Sequence, residues 1–190
     1  SVVVERSSAR SLPELRLRYL PPTVSRVSNN TFPTIGDFII VEGSNFGDPG
    51  AAVCYFGNIP MDTTTIGMLR NKLRCKIPPG FGAFPRDVWV KVGGQSSCRS
   101  SIGYSITATS TCPTANYFAP AISRLVLPSV TERSTEGGFL ITVHGFDFFP
   151  SNVVSNVSIG GTPCVAQNIS YNRIICVVQE AVGESLDVIV

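Results

Sequence analysis

Phe38-Ile39-Ile40-Val41-Glu42-Gly43-Ser44-Asn45-Phe46-Gly47, followed by Val53-Cys54-Tyr55-Phe56-Gly57-Asn58-Ile59-Pro60, decides how this chain folds. Each stretch is a short apolar run that breaks on glycine, as a strand entering a tight turn does. Both stretches recur further on. Phe139-Leu140-Ile141-Thr142-Val143-His144-Gly145-Phe146-Asp147-Phe148 repeats the first, and Val157-Ser158-Ile159-Gly160-Gly161-Thr162-Pro163-Cys164 repeats the second.

The duplication extends outward from these runs. Arg18-Tyr19-Leu20-Pro21-Pro22-Thr23-Val24-Ser25-Arg26 is matched by Asn116-Tyr117-Phe118-Ala119-Pro120-Ala121-Ile122-Ser123-Arg124 at an offset of 98 residues. Cys75 is matched by Cys176 at 101, and Asp87-Val88-Trp89-Val90 by Asp187-Val188-Ile189-Val190 at 100. The drift falls in loops. The expected organisation is an arm over residues 1–17 and two tandem domains over 18–112 and 113–190.

Short strands punctuated by turn residues predict an all-β chain of two antiparallel immunoglobulin-like sandwiches. Expected strands include Thr23–Val27, 38–42, 52–56, 73–77, 87–92 and 103–107, the last closing the first domain. No helix is expected. Within the arm, Leu15-Arg16-Leu17-Arg18-Tyr19 alternates apolar and polar residues, the mark of a half-buried strand.

The chain has 190 residues, of which 15% are charged, and a net charge of +2. Apolar content of 43% marks a globular chain and not a disordered one. So small a charge gives no reason to expect nucleic acid as a partner. The excess sits in residues 1–20, which carry Arg6, Arg10, Arg16 and Arg18 against Glu5 and Glu14. No apolar run reaches the ~18 residues of a membrane span. Ser1 opens the sequence without Met or leader, which reads as a mature chain or a piece of a longer one.

Six cysteines suggest three disulfides and an oxidising compartment. Six cysteines allow fifteen pairings. Keeping pairs within each repeat selects Cys54–Cys75 and Cys164–Cys176 and leaves Cys98 to Cys112. Sequons at Asn29, Asn156 and Asn168 agree with an extracellular location, with N-linked glycans as the only attached groups and no cofactor expected.

In this ordered set the sequence resembles the IPT/TIG family of immunoglobulin-like domains shared by plexins, transcription factors and secreted proteins. The residues that carry the resemblance include Gly43-Ser44-Asn45-Phe46, Phe56-Gly57-x-x-Pro60, Cys75-x-x-Pro78 and Val90-x-Val92-x-Gly94-Gln95-x-Ser97. The second copy keeps Pro120, Gly145-Phe146-Asp147-Phe148, Gly160-Gly161-Thr162-Pro163-Cys164 and Cys176, but has Val177-Val178 where the family has proline. The resemblance implies sandwiches of about seven strands and fixes no function.

Domain 2 ends inside the strand that matches Asp87–Val90, while the arm is strand left over. Reading Val190 on into Ser1 aligns Val2 with Val92 and Ser7 with Ser97. The expected assembly interface is therefore Val2, Val3, Val4, Leu15, Leu17 and Tyr19 of one copy against Val188, Ile189 and Val190 of another. Such a heterologous contact builds a head-to-tail extracellular filament. The alternative is a fragment of a receptor or adhesin ectodomain that binds a protein or glycan.

No catalytic or metal residues are expected. His144 is the only histidine and stands where Glu42 stands in the first copy, on an outward strand face, so triads and histidine-based metal sites are excluded. The cysteines lack C-x-x-C pairs. Gly80-Phe81-Gly82-Ala83-Phe84-Pro85 reads as a loop, having no Lys-Ser/Thr and no helix after it. Asp87 and Asp187 fill equivalent strand starts. Arg16 and Arg18 read as a solvated strand face. Phe146, Phe148 and Phe149 offer an adhesive tip, although Phe46 assigns Phe148 to the core. Trp89 alternates with Val88 and Val90 and reads as either core or exposed, with Ile189 at its repeat position favouring an apolar environment, and most of the aromatics read as core and not as a carbohydrate platform.

Overall fold

The computed structural model describes residues 18–67, 70–98, 112–148 and 157–190, with the backbone of two short strands in the arm. These are β1 (Glu5–Arg6) and β2 (Ala9–Arg10), paired antiparallel. Val2, Val3, Val4, Leu15, Leu17, residues 103–107, Phe149 and Asn156 lie outside the described residues.

The first sandwich contains β3 (Thr23–Val27), β4 (Thr31–Phe32), β5 (Phe38–Ser44), β6 (Ala52–Phe56), β7 (Ile59–Thr65), β8 (Lys72–Lys76), β9 (Arg86–Val92), β10 (Gln95–Ser96) and β11 (Thr114–Tyr117). Its strands follow the order β3-β5-β8-β7-β6-β9-β11-β4, with β10 folded back on β9. The sheet curls over itself because β7 serves both layers. Met61 still pairs with Cys54 of β6, whereas Asp62 onward pairs with β8. At the crossing, the Thr63 hydroxyl accepts the Cys54 N–H at 2.9 Å, so the switch of layers leaves that donor bonded.

Alternation builds the core. Ile39 and Val41 of β5 point inward between Leu73 and Cys75 of β8, and meet Cys54, Phe56, Val88 and Val90 of the other layer. Burying each such aliphatic side chain contributes about 1.5–3 kcal/mol. Phe38 and Ile40, on the other face of β5, are exposed.

The strand expected at 103–107 is outside the described residues, whereas residues 114–117, which the sequence reading places in the second domain, pair with the first sandwich. Thr114 and Ala115 pair with Asp87 and Arg86 of β9, and Asn116 and Tyr117 run parallel to Thr31 and Phe32 of β4. Tyr117 is 1% exposed, within the first core. Residues 114–117 therefore complete the first sandwich, and the chain passes to the second between Tyr117 and Ala121. The pairing that decides this joins β11 to strands far away in sequence, which a local repeat match does not capture.

The second sandwich contains β12 (Ala121–Val126), a 3-10 turn at Val130–Glu132, β13 (Leu140–Phe146), β14 (Val157–Ile159), β15 (Thr162–Ser170), β16 (Arg173–Val177) and β17 (Val188–Ile189). Their order is β12-β13-β16-β15-β14-β17, and β15 changes layer as β7 does. The 3-10 turn has no counterpart in the expected elements. It is held by the Glu132 carboxylate, which accepts the Ser129 N–H at 3.0 Å and the Ser129 hydroxyl at 2.7 Å. At Val177-Val178 the strand end is held as in the first copy, with Val178 N–H bonding Phe139 O as Ile77 N–H bonds Asp37 O.

The Gly-x-Asx-Phe motif has one explanation in both copies. A β-carbon at Gly43 would run into the Thr23 carbonyl and the Phe46 ring, and one at Gly145 into the Ala121 carbonyl and the Phe148 ring. The glycine lets the aromatic fold beneath its own strand. Asn45 and Asp147 turn the chain with φ of 60° and 57°, the left-handed region that Asn and Asp tolerate best after glycine.

Candidate functional site

The two sandwiches meet at Thr34. The turn that holds it is closed by Gly36 N–H on Pro33 O at 2.9 Å, and its carbonyl accepts Gly80 N–H at 2.9 Å. Its own N–H donates to Asp147 Oδ1 at 3.0 Å, and its hydroxyl donates to the Phe148 carbonyl at 3.3 Å. Thr34 is 2% exposed. The left-handed turn at Asp147 thus presents a carboxylate and a carbonyl together, and one threonine answers both.

Tyr117 anchors the same junction. Its hydroxyl donates to Pro78 O at 2.7 Å, and its ring meets Phe56 edge-on at 5.5 Å. A β-carbon at Gly80 would overlap that ring, so glycine makes room for it. Burial pushes the Tyr117 phenol above its usual range, with Arg86 opposing. Cys112, bonded to Cys98, ties the start of this closing strand to the end of β10.

The other disulfides join Cys54 to Cys75 and Cys164 to Cys176, each linking the two layers of its sandwich. Asn29 and Asn168 are exposed. Asp87 and Asp187 act alike through their backbone, accepting Gly57 N–H and Gly160 N–H at 2.8 Å each. Tyr19 is 79% exposed, and its carbonyl accepts from Gln95 Nε2. Val188 and Val190 are half-buried and Ile189 is exposed.

Two outward faces carry aromatics, Trp89 among them, which the sequence leaves open between core and surface. Trp89 stacks on Tyr55 with ring centroids 4.1 Å apart, and its Nε1 donates to Gly57 O at 2.8 Å. Both belong to the outer face because β6 and β9 pair Tyr55 with Trp89, and Cys54 with Val90 inside. On the opposite layer, Phe38 is 42% exposed with the Arg74 guanidinium 3.5 Å above its ring. Ile40 pairs with Arg74, and Lys76 pairs with Phe38, so this face mixes apolar and basic groups. Beside it, Lys72 at 2.8 Å and Arg26 at 3.4 Å hold the Glu42 carboxyl below its usual range. Phe146 is exposed while Phe148 is buried.

His144 faces Arg124 and Arg173 across its two neighbouring strands. Among the described residues no cluster of His, Cys, Asp or Glu could hold a metal ion. No described helix is long and apolar enough to cross a membrane.

The IPT/TIG domain profile matches residues 22–107 and 120–190, one match on each sandwich. The chain belongs to the IPT/TIG domain family. Among curated proteins it is similar to Fibrocystin-L of Mus musculus, at 38% identity over 52 residues, which cover 27% of this chain and 1% of that protein. Among solved structures it is similar to the plexin A4 extracellular region (15% identity, 88% of this chain and 16% of that one, TM-score 0.40). It is also similar to the surface glycan-binding protein PbSGBP-B of Prevotella bryantii (13% identity, 90% and 40%, TM-score 0.44). The chain spans a minor part of the length of each of these.

Proposed function

We propose that this chain is a non-enzymatic, extracellular tandem IPT/TIG module of a receptor or adhesin ectodomain that recognises a protein ligand through the first sandwich. The observation that carries this reading is the outer face of β5 and β8. Phe38 and Ile40 stand exposed beside Arg74 and Lys76, the aromatic-and-arginine composition of an interaction hot spot. The ligand this face fits is apolar at its centre and acidic at its rim. Three disulfides and the exposed Asn29 and Asn168 support an oxidising, glycan-adding route. The test is binding of the labelled, oxidised chain to cell surfaces and to immobilised glycans, alongside Phe38→Ser and Arg74→Glu. Loss of protease-sensitive cell binding in both variants, with unchanged melting, supports the reading. Equal binding by the variants and the parent chain defeats it.

A second reading, a head-to-tail filament of copies joined by the arm, draws on the exposed Tyr19 and on the unpaired edge of β17 among the described residues. Oligomeric state separates the two.

A further inference from the structure

The two sandwiches share one strand register and carry different chemistry on their outer faces. Cys75 and Cys176 fix the correspondence, since Ile39 pairs with Cys75 as Ile141 pairs with Cys176. On the solvent side of this layer the first sandwich sets Phe38 beside Lys76 and Asp62, and Ile40 beside Arg74 and Thr64. The second sets Leu140 beside Val177 and Val165, and Thr142 beside Ile175 and Asn168. The charged residues Asp62, Arg74 and Lys76 therefore have Val165, Ile175 and Val177 as their counterparts.

These aliphatic side chains stand in the open. Leu140 is 54% exposed and Val165 50%, and Val126, which pairs with Thr142 on its other side, is 42% exposed. An antiparallel sheet with one face on a core ordinarily turns polar residues to water on the other. A contiguous apolar patch there is a contact surface or an aggregation liability. The counterpart of Thr64 on this face opens the sequon Asn168-Ile169-Ser170. A β-bulge aims it. Ala166 faces the core, and strict alternation from it would turn Asn168 inward as well. Ala166 pairs with Cys176 and Asn168 with Ile175, so Gln167 is the extra residue of β15 and Asn168 joins the outer face.

We propose that Asn168 carries an N-linked glycan whose first sugars lie across this apolar face and cover it. Asn168 adjoins Ile175 directly, and Thr142 lies two strands, roughly 10 Å, away at the usual strand spacing. The two N-acetylglucosamine units at the root of the glycan offer C–H faces and acetamido methyl groups on which Ile175, Val177 and Leu140 pack, with the hydroxyls turned to water. His144 and Arg173, in the next row, supply hydrogen-bond donors at the rim. The same layer is thus open in the first sandwich and closed in the second. Asn29, by contrast, lies in the exposed turn between β3 and β4. Such a glycan requires the extracellular reading to hold and is independent of the ligand face on β5 and β8.

The test uses the intact, oxidised chain secreted from a eukaryotic host that adds N-linked glycans. Glycopeptide mass spectrometry reads occupancy, nuclear Overhauser contacts read where the sugars lie, and a hydrophobic dye reads the face before and after enzymatic removal of the glycan from the folded chain. The expected result is an occupied Asn168, contacts from the first two sugars to methyl groups of Ile175, Val177 or Leu140, and a several-fold rise in dye binding on removal. Asn168→Gln should reproduce that rise and Asn29→Gln should not. Leu140→Thr with Val165→Thr should abolish it. The enzymatic arm needs no variant to fold. The inference is overturned by an unoccupied Asn168, by sugars that make no contact with this face, by dye binding that removal leaves unchanged, or by self-association of the glycosylated chain through Leu140 and Val165. Occupancy at Asn29 with Asn168 bare would sink the inference alone and leave the extracellular reading standing.

Discussion

The Thr34 N–H of the first sandwich lies 3.0 Å from Oδ1 of Asp147 in the second, in a contact that excludes solvent from the threonine. A single residue thereby bonds a side chain and, through its hydroxyl, a backbone carbonyl across the domain boundary. Domain pairs in one chain ordinarily move against each other unless their interface is large and hydrophobic, and these two bonds oppose that motion at Thr34. Asp147→Ala removes the acceptor and places alanine in a left-handed turn, and should cost about 1–3 kcal/mol at the junction. Asp147→Asn, which keeps an acceptor and tolerates the turn, should cost much less. Small-angle scattering should show a broader distribution of distances for the alanine variant, with each sandwich still folded.

Gly43→Ala and Gly145→Ala each force a methyl group into a carbonyl and the ring of Phe46 or Phe148. Each should destabilise its own sandwich by about 1–3 kcal/mol and leave the other unchanged. Two separately resolved transitions in calorimetry would assign the losses, and a variant melting with the parent chain would remove the close-packing explanation.

Tyr117→Phe deletes the bond to Pro78 O, at a cost of about 0.5–1.5 kcal/mol. The alkaline behaviour is a second readout. Burial raises the folded phenol above its usual value of 10.0, so the unfolded chain loses its proton first as pH rises. Stability conferred by this group is complete below that value and declines above it. Urea melts should show a decline beyond about pH 10 that the phenylalanine variant lacks.

His144→Glu would recreate in the second sandwich the arrangement of Glu42 between Arg26 and Lys72, since His144 faces Arg124 and Arg173. The variant should melt higher at neutral pH and low salt. Because cationic neighbours lower a carboxyl's pKa in the folded state, the gain should be present above the unfolded value and vanish as pH falls through the carboxylate range. Melting that is unaffected by pH and salt would show that the pairs do not form.

Much of the fold was legible because local rules set it. The Ile39/Val41 alternation and the paired glycines Gly43 and Gly145 reveal the strand, the turn and the duplication without knowledge of distant partners. The pairing of residues 114–117 was not legible. Tyr117-Phe118-Ala119-Pro120 matches Tyr19-Leu20-Pro21-Pro22, and the match reveals equivalence, but not which sandwich the tyrosine enters. That depends on β4 and β9, which only the folded chain brings beside it. Trp89 was ambiguous for a similar reason. An alternating Val88-Trp89-Val90 fixes that the faces differ, and the register against Tyr55 decides which is outside. The domain clasp left no sequence signal, because Thr34 is an ordinary turn threonine until Asp147 meets it.

Sedimentation velocity on the oxidised chain across a wide concentration range tests the central claim most directly. A tandem recognition module that does not self-assemble predicts one species at the 20.3 kDa monomer mass throughout. An open-ended series of larger species that grows with concentration, and disappears when the arm is removed, would contradict it and establish the filament.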